Sequence, residues 1–149
     1  MIRPYAAKDK PETIALLRQN TPAYFDPSEE ADFNHYLDVE REDYFVYEEE
    51  GRIVGAGGIN YFPKEKTARI SWDMVDPAMQ GKGIGKKLTQ FRIDHILKDP
   101  RIAFIVVRTS QLAYAFYEKM GFEVISIEQD YWAKNYHLYL MQMPVIQSK

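Results

Sequence analysis

Apolar residues recur along this chain at two spacings, and the change between them separates helices from strands. A short strand at residues 2–5 precedes two helices, predicted over residues 9–20 and 28–37, in which apolar side chains return every three or four positions. Asp9 and Ser28 are residue types that cap helices, so each is expected to begin one. The first quarter of the chain is therefore predicted to be mainly helical.

Strand-like segments dominate the middle of the chain. Residues 44–47, 53–61 and 67–75 are rich in aromatic and β-branched side chains, and turn residues separate them. Three such segments joined by short turns predict an antiparallel meander.

The second half of the chain alternates between the two patterns. Helices are predicted over residues 83–97 and 112–120, and Gly121 ends the second. The run between them, residues 102–107, is almost wholly apolar, which is typical of a strand covered on both faces.

Two closing strands, at residues 122–128 and 137–143, complete the order β-α-α-β-β-β-α-β-α-β-β. This order predicts an α/β fold in which helices pack against a mixed sheet. Because no repeat or linker interrupts the pattern, residues 1–149 are expected to form a single domain.

Composition narrows the classes of function. The chain has no cysteine, which excludes a disulfide, a zinc–thiolate site and a cysteine nucleophile. Its three histidines have no metal-ligand spacing, so no metal site is predicted. The net charge of −3 does not favour nucleic-acid binding, and the sequence has no signal-peptide pattern or long apolar run. We expect a cytoplasmic protein with no nucleic-acid or membrane partner.

Two acidic stretches leave two interpretations open. Residues 28–32 and 48–50 are rich in glutamate and aspartate, which would attract a cationic substrate. The same pattern is typical of a solvated helix or turn surface, and the sequence does not choose between the two.

A glycine-rich segment after the meander carries the clearest chemical signal. Gly81, Gly83 and Gly85 stand at alternate positions between a strand that ends at Val75 and the following helix. Glycines allow a turn to direct several backbone N–H groups into one concavity, and a helix start adds unpaired donors. The segment therefore predicts binding of a phosphorylated ligand, with nearby positive charge from Lys82, Lys86 and Lys87.

Two common nucleotide-binding motifs do not fit this segment. A Walker A loop requires glycine where Gln80 stands and serine or threonine where Lys87 stands. A dinucleotide fingerprint requires a further glycine where the chain has Lys86 or Leu88. A protein that binds ATP or GTP through this loop is therefore the less favoured alternative.

The segment instead resembles the GCN5-related N-acetyltransferase (GNAT) family. Residues 80–85 match that family's Gln/Arg-x-x-Gly-x-Gly/Ala loop, and Val75-Asp76-Pro77 is similar to the end of its fourth strand. Residues 113–122 look like the family's Asn-x-x-Ala-x-x-Phe-Tyr-Glu-Lys-x-Gly-Phe segment. With the order of elements, this resemblance implies a GNAT-like acyl-CoA N-acyltransferase fold over nearly the whole chain.

The resemblance also implies acetyl-CoA as the acetyl donor. By the family's pattern, the backbone of Met74 and Val75 would pair with the pantetheine arm, and the Val75 N–H would face the thioester oxygen. The family's asparagine falls here on Ser110, which is polar but shorter. The implied cofactor-binding set is Met74, Val75, Gln80, Gly81, Lys82, Gly83, Ile84, Gly85, Lys86, Ser110 and Tyr117.

For catalysis, Tyr117 matches the tyrosine that many members use as general acid toward the leaving CoA thiolate, although core packing would also explain an aromatic residue there. Some members carry a glutamate base on the fifth strand, but residues 104–107 contain no carboxylate. Asp73 is the leading candidate for the base, although a polar residue at a strand end is often only surface. Since an acyl-cysteine is excluded, we expect direct attack by the amine in a ternary complex.

The acceptor side carries less information. In this family it is built between the first two helices and by the last strands, so the candidate residues are Tyr24, Phe25, Tyr131 and Trp132. Small polyamines, amino acids, antibiotics, and protein N-termini or lysines are all compatible acceptors. A catalytically silent acyl-CoA-binding or sensing module of the same fold is the alternative. An unpaired strand near the C-terminus would allow a homodimer.

Overall fold

The computed structural model describes residues 1–145 and confirms the predicted order of elements. The helices are α1 (Lys10–Gln19), α2 (Glu29–His35, continued by a π-helical turn at Tyr36–Glu40), α3 (Ile84–Leu97) and α4 (Tyr114–Lys119). The strands are β1 (Ile2–Pro4), β2 (Asp43–Glu49), β3 (Arg52–Phe62), β4 (Thr67–Val75), β5 (Phe104–Thr109), β6 (Glu123–Ala133) and β7 (Tyr136–Pro144). Short 3-10 turns lie at Ala7–Asp9, Pro63–Glu65 and Pro77–Met79. Within these residues no helix is long and apolar enough to cross a membrane.

The strands form one mixed sheet in the order β1-β2-β3-β4-β5-β7-β6. Only β4 and β5 run parallel, and they pair from Thr67 with Phe104 to Ile70 with Val107. Beyond that point β4 continues along β3 while β5 continues along β7. The two central strands therefore separate at their C-terminal ends and leave a gap in the middle of the sheet.

Helices cover both faces of the sheet, and each face has its own apolar core. One core packs α3 and α4 on the sheet through residues such as Leu88, Ile96 and Phe122. The other packs α1 and α2 through residues such as Leu17 and Phe33. The gap between β4 and β5 therefore opens into a space bordered by helices from both layers.

A β-bulge changes the direction of β4 just before the gap. Ala56 pairs with Met74 and Gly58 with Ser71, so one residue of β3 faces two residues of β4. Trp72, inside the bulge, has a φ of +53°, which is unusual for a residue with a large side chain. Bulges of this kind are often found beside functional sites, where they redirect a side chain.

The sheet ends in β1 on one side and β6 on the other. On β6, Ile125 and Ile127 are 56% and 55% exposed, two positions apart on the strand. The homodimer that the sequence allows at a C-terminal strand stays a prediction.

Candidate active site

A cavity of about 550 Å³ occupies the gap between β4 and β5. It is lined by residues of the α1–α2 segment, α2, β3, β4, the glycine loop (residues 80–85), α3, β5, α4, β6 and β7. Most of the residues singled out in the sequence meet there: Tyr24, Phe25, Asp73, Met74, Val75, Gln80, Gly81, Gly83, Ile84, Gly85, Lys86, Ser110, Tyr117 and Trp132. Folding thus brings together positions that are spread over more than a hundred residues of sequence.

The glycine loop presents a row of free hydrogen-bond donors at one end of this cavity. None of the backbone N–H groups from Gly81 to Lys86 donates a hydrogen bond within residues 1–145. Gly81 and Gly83 have φ values of +82° and +80°, which side-chain-bearing residues rarely adopt, and the space at each Cβ position is open. Such an arrangement, at the start of the 14-residue helix α3, suits a phosphate group.

The end of β4 presents a further backbone donor. The Asp76 N–H donates to the Val54 carbonyl (2.8 Å), so this pair of the β3–β4 ladder is hydrogen-bonded. Because bonded and non-bonded pairs alternate, the N–H of Val75, opposite Gly55, points away from β3. The Val75 carbonyl lies on the same side and accepts from Asn20 Nδ2 (3.1 Å). The Val75 N–H is therefore directed to the side where β5 has diverged.

A buried polar triad joins β4 to the two helices of one layer. Arg92 of α3, only 1% exposed, binds both carboxylate oxygens of Asp73, at 2.6 Å from Nη1 and 2.8 Å from Nη2. The Tyr117 hydroxyl of α4 donates to Asp73 Oδ2. Gly57 on β3 makes room for this pair, since a Cβ there would lie 2.7 Å from Arg92 Cζ. Both oxygens of the carboxylate therefore already accept hydrogen bonds.

Tyr117 is held as a neutral phenol. Burial, and then the negative charge of Asp73, raise the pKa of Tyr117 well above its usual range. At neutral pH its hydroxyl is therefore protonated and able to donate a hydrogen bond into the cavity or to Asp73.

Aromatic side chains form the opposite end of the cavity. Phe25 stacks on Trp72, with ring centroids 6.0 Å apart and planes at 18°. The Tyr136 hydroxyl donates to the Pro22 carbonyl (2.7 Å), which ties β7 to the α1–α2 segment. Trp132 Nε1 donates to the Thr109 carbonyl at the end of β5 (3.1 Å). These bonds fix the α1–α2 segment and the last hairpin as two walls of one space.

A carboxyl group lies in this aromatic end. Glu29, the first residue of α2, is 7% exposed and lines the cavity, and its Oε2 accepts from the Asp26 N–H (2.8 Å). Ser28 occupies the N-cap position of α2, as expected, but its hydroxyl donates to Asp26 Oδ2 (2.5 Å) and makes no cap hydrogen bond. Burial raises the pKa of Glu29 to about 7, with a smaller effect from the Asp26 and Asp32 carboxylates.

Comparison with known proteins identifies the family and the fold. The family model described as "Acetyltransferase (GNAT) family" matches residues 11–122, about three quarters of the chain. The chain belongs to the GNAT acetyltransferase family. It is 30% identical over 112 residues to the N-alpha-acetyltransferase RimI of Mycobacterium tuberculosis, a match that covers 72% of this chain and 68% of that protein.

Solved structures of GNAT proteins have the same fold over the whole chain. The ribosomal-protein-S18-alanine N-acetyltransferase from Escherichia coli superimposes with a TM-score of 0.83 at 21% identity, covering 100% of this chain and 96% of that one. An aminoglycoside 6'-N-acetyltransferase complexed with coenzyme A superimposes with a TM-score of 0.77 at 16% identity, covering 100% and 99%. At these identities the likeness establishes the fold, not the acceptor.

Two residues predicted for the site of this GNAT member lie outside the cavity lining. Lys82 is exposed, and its Nζ lies 3.8 Å from Met79 Sδ, because the loop turns this side chain to solvent. Tyr131 is 44% exposed and packs against Arg108, whose Cζ lies 5.2 Å from the ring centroid. Neighbouring residues in a loop or strand point to opposite sides, which explains why Trp132 lines the cavity while Tyr131 does not.

Sequence reasoning missed four residues that define the site. These residues are Asn20, Glu29, Arg92 and Tyr136. The sequence pattern places Asn20 and Arg92 only in helices, Tyr136 next to the last strand and Glu29 in an acidic stretch. An arginine at a position that faces the core of an amphipathic helix is the one available signal, since a buried arginine requires a partner.

Proposed function

We propose that this protein transfers the acetyl group of acetyl-CoA to the α-amine of a peptide or protein N-terminus. The observation that carries the proposal is the row of free N–H groups from Gly81 to Lys86, which opens into the cavity between β4 and β5. The acceptor class rests on the similarity to a protein named N-alpha-acetyltransferase.

The donor would lie along the gap in the sheet. The amides of the glycine loop hold the diphosphate, and Lys86, which lines the cavity, adds positive charge. The backbone of Met74 and Val75 accompanies the pantetheine arm, with the Val75 N–H facing the thioester oxygen, where negative charge develops. Bound acetyl-CoA supplies an activated acetyl group, and the open gap leaves its carbonyl carbon accessible to an amine.

Tyr117 is the proposed proton donor to the sulfur that leaves. It is neutral at working pH, lines the cavity and is oriented by Asp73, which Arg92 holds in turn. Because both Asp73 oxygens already accept hydrogen bonds, this carboxylate is better suited to hold Tyr117 than to take a proton from the amine. Asp73 as general base stays a prediction, and direct attack in a ternary complex stays the proposed route.

Donor binding is tested by calorimetry with acetyl-CoA on the wild type and on Gly83→Glu. The variant adds bulk and negative charge among the free amides, so we expect affinity to fall at least about 100-fold. Gly51→Glu is the matched control, because Gly51 also has a positive φ (+77°) and open space but lies in the β2–β3 turn. Equal binding by the two variants would contradict the assignment of the loop.

The acceptor class is tested by thiol release with acetyl-CoA and a hexapeptide that begins with alanine. We expect turnover with the free N-terminus and none when the same terminus is blocked. Tight acetyl-CoA binding without turnover on any amine would instead support the silent acyl-CoA-binding module.

A further inference from the structure

Glu29 has the features of a carboxyl group placed to meet a ligand. Its Oε2 is used by the Asp26 N–H, whereas its Oε1 accepts no hydrogen bond within residues 1–145. No basic side chain of the described chain forms an ion pair with it. Arg18 of α1 binds instead the adjacent Glu30, whose side chain is 39% exposed, at 2.7 Å. A buried carboxyl without a charged partner is unusual, and it is stabilised by any cation that enters the cavity.

The surroundings of Glu29 favour an organic ammonium group as that cation. The cavity wall on this side is formed by the aromatic rings of Tyr24, Phe25 and Trp72. Faces of such rings attract ammonium groups and cover their apolar substituents. The Asp26 and Asp32 carboxylates add further negative charge around Glu29. A metal ion is disfavoured, since no cluster of three His, Asp or Glu ligands occurs within residues 1–145.

We infer that Glu29 binds the ammonium group of the acceptor and takes its first proton, which makes it a catalytic residue of the proposed acetyl transfer. This inference rests on the proposed function, because it requires an amine acceptor in the same cavity as acetyl-CoA. It assigns to Glu29 the role for which the sequence suggested Asp73.

The proton and bond changes balance as follows. The ammonium R–NH₃⁺ gives one proton to the Glu29 carboxylate and becomes R–NH₂. The amine nitrogen then bonds to the thioester carbon, and the carbon–sulfur bond breaks. The sulfur receives a proton from Tyr117, which recovers one from the nitrogen of the new amide. Glu29 later releases its proton to solvent, so the products are the acetamide, CoA–SH and one H⁺.

The acidity of Glu29 also selects the class of amine. An α-amine has a pKa of about 7.7–8.0, and a lysine side chain has a pKa of about 10.4. The pKa of Glu29 is about 7, so it lies about one unit below the pKa of an α-amine but more than three units below the pKa of a lysine side chain. Proton transfer to Glu29 is therefore less unfavourable from an α-amine than from lysine. We therefore expect peptide N-termini to be preferred over lysine side chains.

The test compares Glu29→Gln with Glu30→Gln. Glutamine keeps an oxygen for the Asp26 N–H and so preserves the turn, while it cannot take a proton. Glu30 is the matched control because it is the next residue of α2, its side chain is 39% exposed, and it lies outside the cavity lining. The probes are acetyl-CoA with a hexapeptide that begins with alanine, and the same peptide N-acetylated with one lysine. The readouts are kcat/KM from pH 5.5 to 9.5 and calorimetric affinity for acetyl-CoA.

For Glu29→Gln, we expect kcat/KM with the free N-terminus to fall about 100-fold at pH 7 and less than about 10-fold at pH 9.5, where the amine is already neutral. Acetyl-CoA affinity is expected to stay within about twofold of wild type, and Glu30→Gln to behave as wild type. An unchanged pH profile in Glu29→Gln, or an equal loss in Glu30→Gln, would overturn the role of Glu29 while leaving the acetyltransferase function intact. Absence of turnover by the wild type would instead overturn the proposed function, and this inference with it.

Discussion

Two carboxylates line the same cavity, and their surroundings differ in almost every respect. Asp73 faces a buried arginine and a tyrosine hydroxyl, which together occupy both of its oxygens. Glu29 has one backbone N–H on one oxygen, no cationic partner, and aromatic walls around it. Asp73 lies on β4 and is bound by side chains of α3 and α4, whereas Glu29 begins α2 at the end of the α1–α2 segment.

The comparison teaches that nearness to the reaction does not by itself decide what a carboxylate does. A carboxylate paired with a buried guanidinium is fixed in place, because moving or protonating it would leave the guanidinium charge uncompensated. A buried carboxyl without a partner is destabilised when ionised and is therefore ready to bind a cation or a proton. The first suits a positioning role, and the second suits proton transfer.

The largest expected effect comes from removing the charge of Asp73. Asp73→Asn leaves Arg92 buried without its counter-charge, so the free energy of unfolding should fall by about 3–5 kcal/mol. Urea denaturation measures the change. Asp38→Asn is the control, because it removes an ion pair with Lys10 that is exposed, and it should cost less than about 1 kcal/mol. Equal losses of stability in the two variants would show that the buried Asp73–Arg92 pair contributes no more to stability than the exposed Lys10–Asp38 pair.

A second test separates proton donation from packing at Tyr117. Tyr117→Phe keeps the buried ring but removes the hydroxyl, so kcat should fall about 100-fold with little change in acetyl-CoA affinity. Steady-state kinetics with calorimetry measures both. Tyr114→Phe is the control on the same helix, since Tyr114 stacks on Tyr139 outside the cavity lining and should keep wild-type kcat. If Tyr117→Phe lowers stability but leaves kcat unchanged, Tyr117 is a packing residue of the core and not the proton donor.

The smallest effect concerns the pH dependence of stability. The pKa of Glu29 is raised from 4.5 to about 7 in the folded state, so protonated Glu29 stabilises the fold. That contribution is complete below pH 4.5 and is lost as the pH rises through about 7. From pH 5 to pH 8, the free energy of unfolding of Glu29→Gln should therefore rise by about 1–2 kcal/mol relative to that of the wild type. The change is smaller than it would be for a fully buried carboxyl group, because the cavity admits solvent. Urea denaturation at the two pH values measures this change, with Glu30→Gln as the control. If the free energies of unfolding of wild type and Glu29→Gln change equally between the two pH values, the prediction is wrong.

The elements and the glycine loop followed from the sequence because they depend on near neighbours. Hydrophobic spacing along residues 67–97 specifies a strand, a turn and a helix, and Gly81 and Gly83 specify the backbone shape between them. The side chains of Lys82 and Tyr131 lie outside the cavity lining, which composition did not reveal, because it does not show to which side of a loop or strand a side chain turns. Their roles in binding stay predictions.

Sequence by itself determined the order of elements, the glycine-rich turn before α3 and the place of Tyr117 on the short helix after β5. Only the tertiary structure decided that Arg92 neutralises Asp73, and that Glu29 is buried in the cavity while the side chain of Glu30, one residue later, is 39% exposed. The reason is physical. The role of an ionisable group depends on its desolvation and on the charges around it, and both are set by segments distant in sequence that pack against it.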